Sequence, residues 1–281
     1  GEPLAANRPL PSSKGGRSPM VDYLYDGTFE GFLTCVYAHY YEEKASGIYQ
    51  RENYQASMLS GFRTVETEAE KASRVYEAIE RKISGRDLRR IYRVFLSSDE
   101  EKENKLLRYI RLGFKEGPGV SLRHSNPIVF DVQQCEHKVS VELVKIMGLA
   151  RFSALKNDRA AGGGHEDGST VGGGPEILYC RIEPDHDILE LIAGHFSDRL
   201  KNDPFIIHDK SRGKAVFAQG GSWYISDFNG DDLPALGTGE QEFRALWKKY
   251  FETIAIQERI NPRCQKRCMP VRYWKNLTEF R

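Results

Sequence analysis

The sequence predicts an α+β protein: a mostly antiparallel sheet with flanking helices and a helical insert. Three observations carry this. Helical periodicity runs almost unbroken through residues 64–117, short β-prone runs dominate after residue 150, and few of those runs alternate with helices, so strands and helices are segregated. At 281 residues with 40% apolar content, the chain can bury a substantial core.

Taken in order, residues 1–19 are rich in Gly, Pro and Ser without periodicity and read as an expression remnant or disordered leader, with Met20 as the expected native start. Residues 20–281 are expected to form a single domain. "VDYLYD" (Val21–Asp26) reads as a strand, and a helix follows, capped by Thr28, with Phe29, Phe32, Leu33, Val36 and Tyr37 on one face. Three more helices are expected: Thr64–Ile83, Arg86–Leu96 after Ser84-Gly85, and Asp99–Phe114, stopped by Gly-Pro-Gly at 117–119. Another is centred on Val139–Met147. Then come "ARFSAL", "ILYCRIE", "PFIIHD", "KAVFAQ" and "SWYISDF" as strands, interrupted by a helix over Asp187–Leu200. Gly220-Gly221 marks a hairpin turn. The Gly-rich stretch 159–175 is expected to be a flexible loop, and Glu240–Arg259 a last amphipathic helix.

Several function classes fall away on composition. The longest apolar runs, such as Ile128-Val129-Phe130, are too short to span a bilayer, and no signal-peptide pattern is evident, so no membrane partner is expected. Five cysteines at irregular spacing do not read as a disulfide framework, and a reducing cytoplasm is the expected compartment. No cofactor motif is present and no cofactor is expected. Cys264 and Cys268 lack a second ligand pair at zinc-site spacing, so no metal is expected there.

The net charge is only +1, so attraction to a polyanion must come from clustering. Lys82, Arg86, Arg89, Arg90 and Arg93 fall within an arc of roughly 100° on a helix, and Lys105, Arg108, Arg111 and Lys115 share a face of the next. The stretch from Arg259 to Thr278 has no acidic residue and holds Arg272 and Lys275 around Tyr273 and Trp274. Such stripes bind phosphate backbones, and the aromatic pair suits base stacking. The same stripes also suit solvated helix faces paired with Glu100, Glu101 or Glu103, and Tyr273 and Trp274 equally suit a core plug beside Leu277 and Phe280.

The segment Glu183–Arg212 is the most chemically loaded, with His186, His195 and His208 among Asp185, Asp187, Asp198 and Asp209. Imidazoles with carboxylates can do acid–base work at neutral pH. His195, Asp198, His208 and Asp209 are the catalytic candidates, grouped with Arg199 as one polar cluster where a helix meets the sheet. Capping, ion pairing and turn formation account for the same residues, and neither HExxH nor a triad signature is present.

Taken together and in this order, "YLYDGTFEGFLTCVY", "LRYIRLGF", "IEPDHDILELIAGHFSDR", "FIIHDKSRG" and "MPVRYWKNLTEF" resemble a bacterial family of DNA metabolism or repair proteins of unassigned function. Its members are encoded beside a radical SAM protein and in some cases fused to a uracil-DNA-glycosylase domain. The resemblance runs from about Tyr23 to Phe280. It implies a nucleic-acid-binding or adaptor protein with DNA and a radical SAM protein as partners, or alternatively a nucleic-acid-processing enzyme, hydrolase or glycosylase-like, using His195, Asp198, His208 and Asp209. The family pattern has a His-Arg pair where this chain has Val144 and Lys145, and the Gly-rich loop is longer than usual. Cys264 and Cys268 fall outside the resembling blocks, which favours a structural strap for the chain's last segment.

Overall fold

The structure, a computed structural model, describes residues 21–56, 61–155, 177–229 and 271–277. The expectations for residues 1–19, the loop 159–175, the helix Glu240–Arg259, Cys264, Cys268 and Phe280 lie outside the described residues. The chain divides into two compact units, Gly1–Glu136 and His137–Arg281.

The first unit is built on a three-stranded sheet ordered β2-β1-β3, with β1 Val21–Tyr25, β2 Ala45–Gln50 and β3 Gly61–Thr64. Both pairings are parallel. Helix α1 (Phe29–Tyr41) makes the crossover from β1 to β2, as parallel neighbours require. Its start is chemically fixed. Thr28 Oγ1 accepts from the Gly31 amide at 3.0 Å, while Asp26 accepts from the Thr28 amide and hydroxyl and from the Thr67 hydroxyl. Gly27 turns the chain at φ +85°, and a side chain at Gly31 would meet Asp26 Oδ1 at 2.3 Å. Phe32, Leu33 and Val36 are buried, as the periodicity predicted.

Three helices complete this unit: α2 Ala69–Lys82, α3 Gly85–Phe95 and α4 Lys102–Glu116. Val75, Ile79, Leu88, Ile91, Val94, Leu106 and Ile110 form their buried faces. Ser84 caps α3 by accepting from the Asp87 amide, and Gly117, at φ +74°, ends α4. The expected helix start at Thr64 is corrected to Ala69. Gly61–Thr64 instead pairs with β1, and the Val65 amide continues the pairing by donating to the Leu24 carbonyl at 2.8 Å.

Helix α5, Pro127–Leu149, contains the boundary between the units and is far longer than the expected Val139–Met147. Its first turn holds Pro127 where a missing amide costs nothing, and the Asn126 side chain accepts from the Ile128 amide.

The second unit carries a five-stranded sheet ordered β4-β5-β6-β7-β8, with β4 Ser153–Leu155, β5 Ile177–Ile182, β6 Phe205–Asp209, β7 Lys214–Gln219 and β8 Ser222–Asp227. Helix α6 (Leu189–Arg199) crosses from β5 to β6, which pair in parallel, while the other three pairings are antiparallel. Gly220 and Gly221, at φ +60° and +82°, make the β7–β8 turn where the sequence placed it. Ile182, Ile192, Phe196, Phe205, Ile207 and Val216 build the core of this unit. The class is α+β as expected, but the mostly antiparallel sheet is corrected. One sheet is parallel and the other mixed: α1 carries the chain from β1 to β2 and α6 from β5 to β6, and each crossover returns the next strand in parallel.

Candidate nucleic-acid interface

The basic stripe on α3 divides into two kinds of residue. Arg90 is 5% exposed and turned inward. Its Nε donates to Glu136 Oε2 at 2.6 Å and its Nη1 to Asp87 Oδ1 at 2.8 Å, and the Tyr109 hydroxyl donates to the same Asp87 oxygen. Burial pushes the Tyr109 phenol up, reinforced by Asp87, so it stays a donor. Arg90 is therefore removed from the expected nucleic-acid contacts: a buried guanidinium with its donors committed to the buried Asp87 and the half-buried Glu136 is structural. Arg93 lies 3.8 Å from Glu136, a loose pair on a half-exposed side chain.

The rest of the stripe faces outward. Lys82, Arg86 and Arg89 are exposed, and so are Arg108, Arg111 and Lys115 on α4. None of these six makes an ion pair among the described residues. Arg86, Arg89 and Arg93 fall within roughly 60° of arc on α3, and Arg108, Arg111 and Lys115 within a similar arc on α4, at about 100° per residue. Lys105, also expected in the α4 stripe, is instead paired with Asp99 at 2.5 Å.

In the third basic surface, the two described cations, Arg272 and Lys275, are spent internally. Glu142, on α5 and 5% exposed, accepts from the Asp185 and His186 amides at 3.0 and 2.8 Å, from Arg272 Nη2 at 2.9 Å and from the Tyr273 hydroxyl. Arg272 also pairs with Asp185, and Lys275 with Glu183. Tyr273 and Leu277 are buried. Trp274 is half-buried on the same short 3-10 turn, Val271–Asn276. Of the sequence's two readings for this segment, the geometry favours a strap pinned over a buried carboxylate.

The catalytic candidates do not come together. His195 and Asp198 are exposed on α6, and the His195 ring packs edge-on against Phe196 at 5.0 Å. His208 and Asp209 are buried on β6. His208 Nδ1 shares a hydrogen bond with the Tyr179 hydroxyl at 2.8 Å, and its ring stands edge-on to Phe228. Burial, with Arg181 and Lys210 nearby, holds the His208 pKa below the usual histidine range. Asp209 accepts from Arg212 at 2.9 Å and from the Ser211 amide, and burial raises its pKa against the pull of Arg212. No hydrogen bond or ion pair among the described residues joins the α6 pair to the β6 pair.

Two other features bear on the chemistry. A cleft of about 690 Å³ in the first unit is lined, among the described residues, by Asp22, Asp99, Glu100, Glu101 and Glu103 against one cation, Lys102, a lining that repels phosphate. The buried thiols of Cys35 and Cys180 are pushed up to about 12 by desolvation and are poor nucleophiles. Among the described residues no group of three or more His, Cys, Asp or Glu is placed to hold a metal ion, and no helix is long and apolar enough to cross a membrane.

Residues 100–279, more than half of the chain, match the family described as a domain of unknown function, DUF4130. The chain belongs to that family. The match to DUF4130 begins just before α4, so it takes in Arg108, Arg111 and the whole strap but leaves out α1, α2 and α3. No curated protein matches the chain.

Sequence reasoning missed Glu136 and Glu142, the carboxylates that decide which cations are spent. Both sit on the mixed-polarity helix α5, and nothing in their neighbourhood marks them as anchors. It also passed over Tyr40, Tyr41 and Lys44, although "HYYEEK" places two aromatics and a lysine at a helix end.

Proposed function

We propose that the protein is a nucleic-acid-binding or adaptor module acting in DNA metabolism, and that its first unit holds the nucleic acid. One observation carries this reading: Lys82, Arg86, Arg89, Arg108, Arg111 and Lys115 are exposed on α2–α4 and make no ion pair among the described residues. Cations left without carboxylates are the groups that exchange small counterions for phosphates, which is where non-specific affinity comes from. Binding of this kind is weak, tolerant of sequence and strongly dependent on salt. The resemblance to DNA metabolism proteins encoded beside a radical SAM protein supplies the second half of the proposal, an adaptor that presents nucleic acid to such a partner. Dispersal of His195, Asp198, His208 and Asp209 favours the adaptor over a hydrolase or glycosylase-like enzyme.

The test is a fluorescence-anisotropy titration of the full chain with DNA at two salt concentrations. Arg86→Glu with Arg89→Glu is expected to weaken binding about tenfold or more and to flatten the salt dependence by roughly one unit of log–log slope per lost phosphate contact. Unchanged affinity and slope overturn the reading. Co-purification with the radical SAM neighbour, with and without DNA, tests the adaptor role.

A further inference from the structure

The C-terminal ends of α1, α2 and α4 meet in an exposed patch where aromatic rings alternate with cations. The Tyr40 ring stands edge-on to Phe114 at 5.6 Å, and Lys82 Nζ lies 5.9 Å from the Phe114 centroid. The charge of Arg111 is felt at both Tyr40 and His39, and that of Lys44 at His39, which places both cations around the same helix end. Lys115 follows Phe114 directly. Tyr41 stacks on Tyr37 at 4.5 Å, leaving its other side to solvent. Tyr40 is 46% and Tyr41 74% exposed.

Two of the three acids nearest this patch in sequence are neutralised, and Glu43 is outnumbered by the four cations Lys44, Lys82, Arg111 and Lys115. Glu42 is bound by Arg63 and Lys71, and Glu116 by Arg123. Lys44, Lys82, Arg111 and Lys115 have no ion pair among the described residues. Helix C-termini favour cations, so the fold holds these side chains in place without carboxylates. The patch therefore offers net positive charge and two large exposed rings.

We infer that this patch is a platform for single-stranded nucleic acid. Tyr40 and Tyr41 stack on unpaired bases, while Lys44, Lys82, Arg111 and Lys115 take the phosphates between them. An acidic peptide would satisfy the cations but would leave the rings without partners, whereas a single strand supplies charge and flat π-faces together. The inference rests on the nucleic-acid reading above and narrows it to unpaired strands, because bases stacked in a duplex present no face to a side chain.

The experiment compares a fluorescent oligothymidine with a duplex of equal length, using the full chain and following anisotropy. Tyr40→Leu with Tyr41→Ser is expected to weaken oligothymidine binding about tenfold while duplex binding changes less than about twofold, since stacking is a single-strand contribution. Arg86→Glu with Arg89→Glu, which removes charge and no ring, weakens both. A thermal melt checks that the tyrosine variant is folded. Should it not fold, Lys44→Glu with Lys115→Glu, both exposed, is expected to lower oligothymidine affinity by at least the same factor. Retained single-strand affinity in the folded tyrosine variant, or in the lysine variant, overturns the platform while leaving nucleic-acid binding intact. Displacement of oligothymidine by polyglutamate as readily as by unlabelled oligothymidine also overturns it, in favour of an acidic protein partner. Failure of the unmodified chain to bind either nucleic acid overturns the broader reading with it.

Discussion

Two basic stretches, helix α3 of the first unit and the strap of the second, use their cations in opposite ways. In the second unit, Arg212, Arg272, Arg181 and Lys275 each meet a carboxylate, and the strap that carries Arg272 and Lys275 is fixed around the buried Glu142. In the first unit only Arg90 on the α3 stripe is buried against its carboxylates, Asp87 and Glu136, while Arg93 keeps a loose pair with Glu136 and Arg86 and Arg89 are left to solvent. Both stretches read as basic in sequence. The difference lies in whether a carboxylate is delivered from elsewhere in the fold, so a basic run becomes an interface only where tertiary structure withholds the counter-charge.

The largest effects expected from breaking this contrast are on stability. Glu142→Ala strands the Tyr273 hydroxyl and two backbone amides and leaves Arg272 with Asp185 as its one carboxylate among the described residues, and Asp87→Ala leaves Arg90 and Tyr109 without their shared acceptor. Removing one partner of a buried charged pair costs about 3–5 kcal/mol, so each variant is expected to lose stability on that scale in urea unfolding. A loss below about 1 kcal/mol in either would show that the network is wet and that the distinction between spent and free cations is weaker than drawn.

A second prediction separates the same two groups by binding. Arg108→Glu with Arg111→Glu is expected to reduce DNA affinity about tenfold with little change in melting temperature, because neither side chain has an ion pair to lose among the described residues. Arg272→Glu is expected to do the reverse, lowering the melting temperature by several degrees while leaving affinity per folded molecule intact. If Arg272→Glu instead abolishes binding at full stability, the strap belongs to the interface.

How much of this was legible beforehand depended on the range of the interaction. Thr28 and Ser84 announced their helices because a cap is decided within three residues, and Gly220-Gly221 announced a hairpin because both residues take positive φ. The sheets were misread because β2 and β3 pair with β1 across whole intervening elements, and "ASGIYQ" and "GFRT" carry no alternation that signals burial. The arc of α3 was legible from helical geometry, yet Arg90 is spent by Glu136, 46 residues away. His195 and Asp198 lie one helix before His208 and Asp209, and sequence proximity suggested a cluster that the burial of one pair and exposure of the other do not form.

A smaller effect tests how independently the first unit's turn is held. Thr28→Ala removes the α1 cap and one of the hydroxyls on Asp26, and is expected to cost about 1 kcal/mol in urea unfolding, with DNA affinity per folded molecule unchanged. A concurrent loss of oligothymidine binding would show that the seating of α1 sets the position of Tyr40 and Tyr41 at its far end.

The smallest expected effect follows from two buried histidines, one in each unit. His39 Nδ1 accepts from the Ala45 amide at 3.0 Å, and its pKa is lowered by burial first, then by Arg111 and Lys44. His208 is lowered by burial first, then by Arg181 and Lys210, with Glu183 opposing. For both, the unfolded chain binds the proton more tightly than the folded one. Their contribution to stability is therefore complete above the unfolded value of about 6.5 and is lost as pH falls toward and through the folded value. Asp209 acts in the opposite sense at lower pH: burial raises its pKa, so the folded chain is the tighter proton binder just above the ordinary aspartate range. Unfolding midpoints are expected to drop between neutral pH and about pH 5.5, and His39→Gln or His208→Gln should each flatten that drop. The two histidines should part company on adding salt or oligothymidine. The cations beside His39 are exposed and make no ion pair among the described residues, so screening or bound phosphate relieves their repulsion and raises its pKa. Beside His208, Arg181 is already offset by Glu183 at 2.7 Å and only Lys210 is exposed without an ion pair among the described residues, so His208 should move less than His39. Imidazole proton shifts followed by NMR titration resolve the two, and an equal rise at both would show that the cations of the first unit are no freer than those of the second.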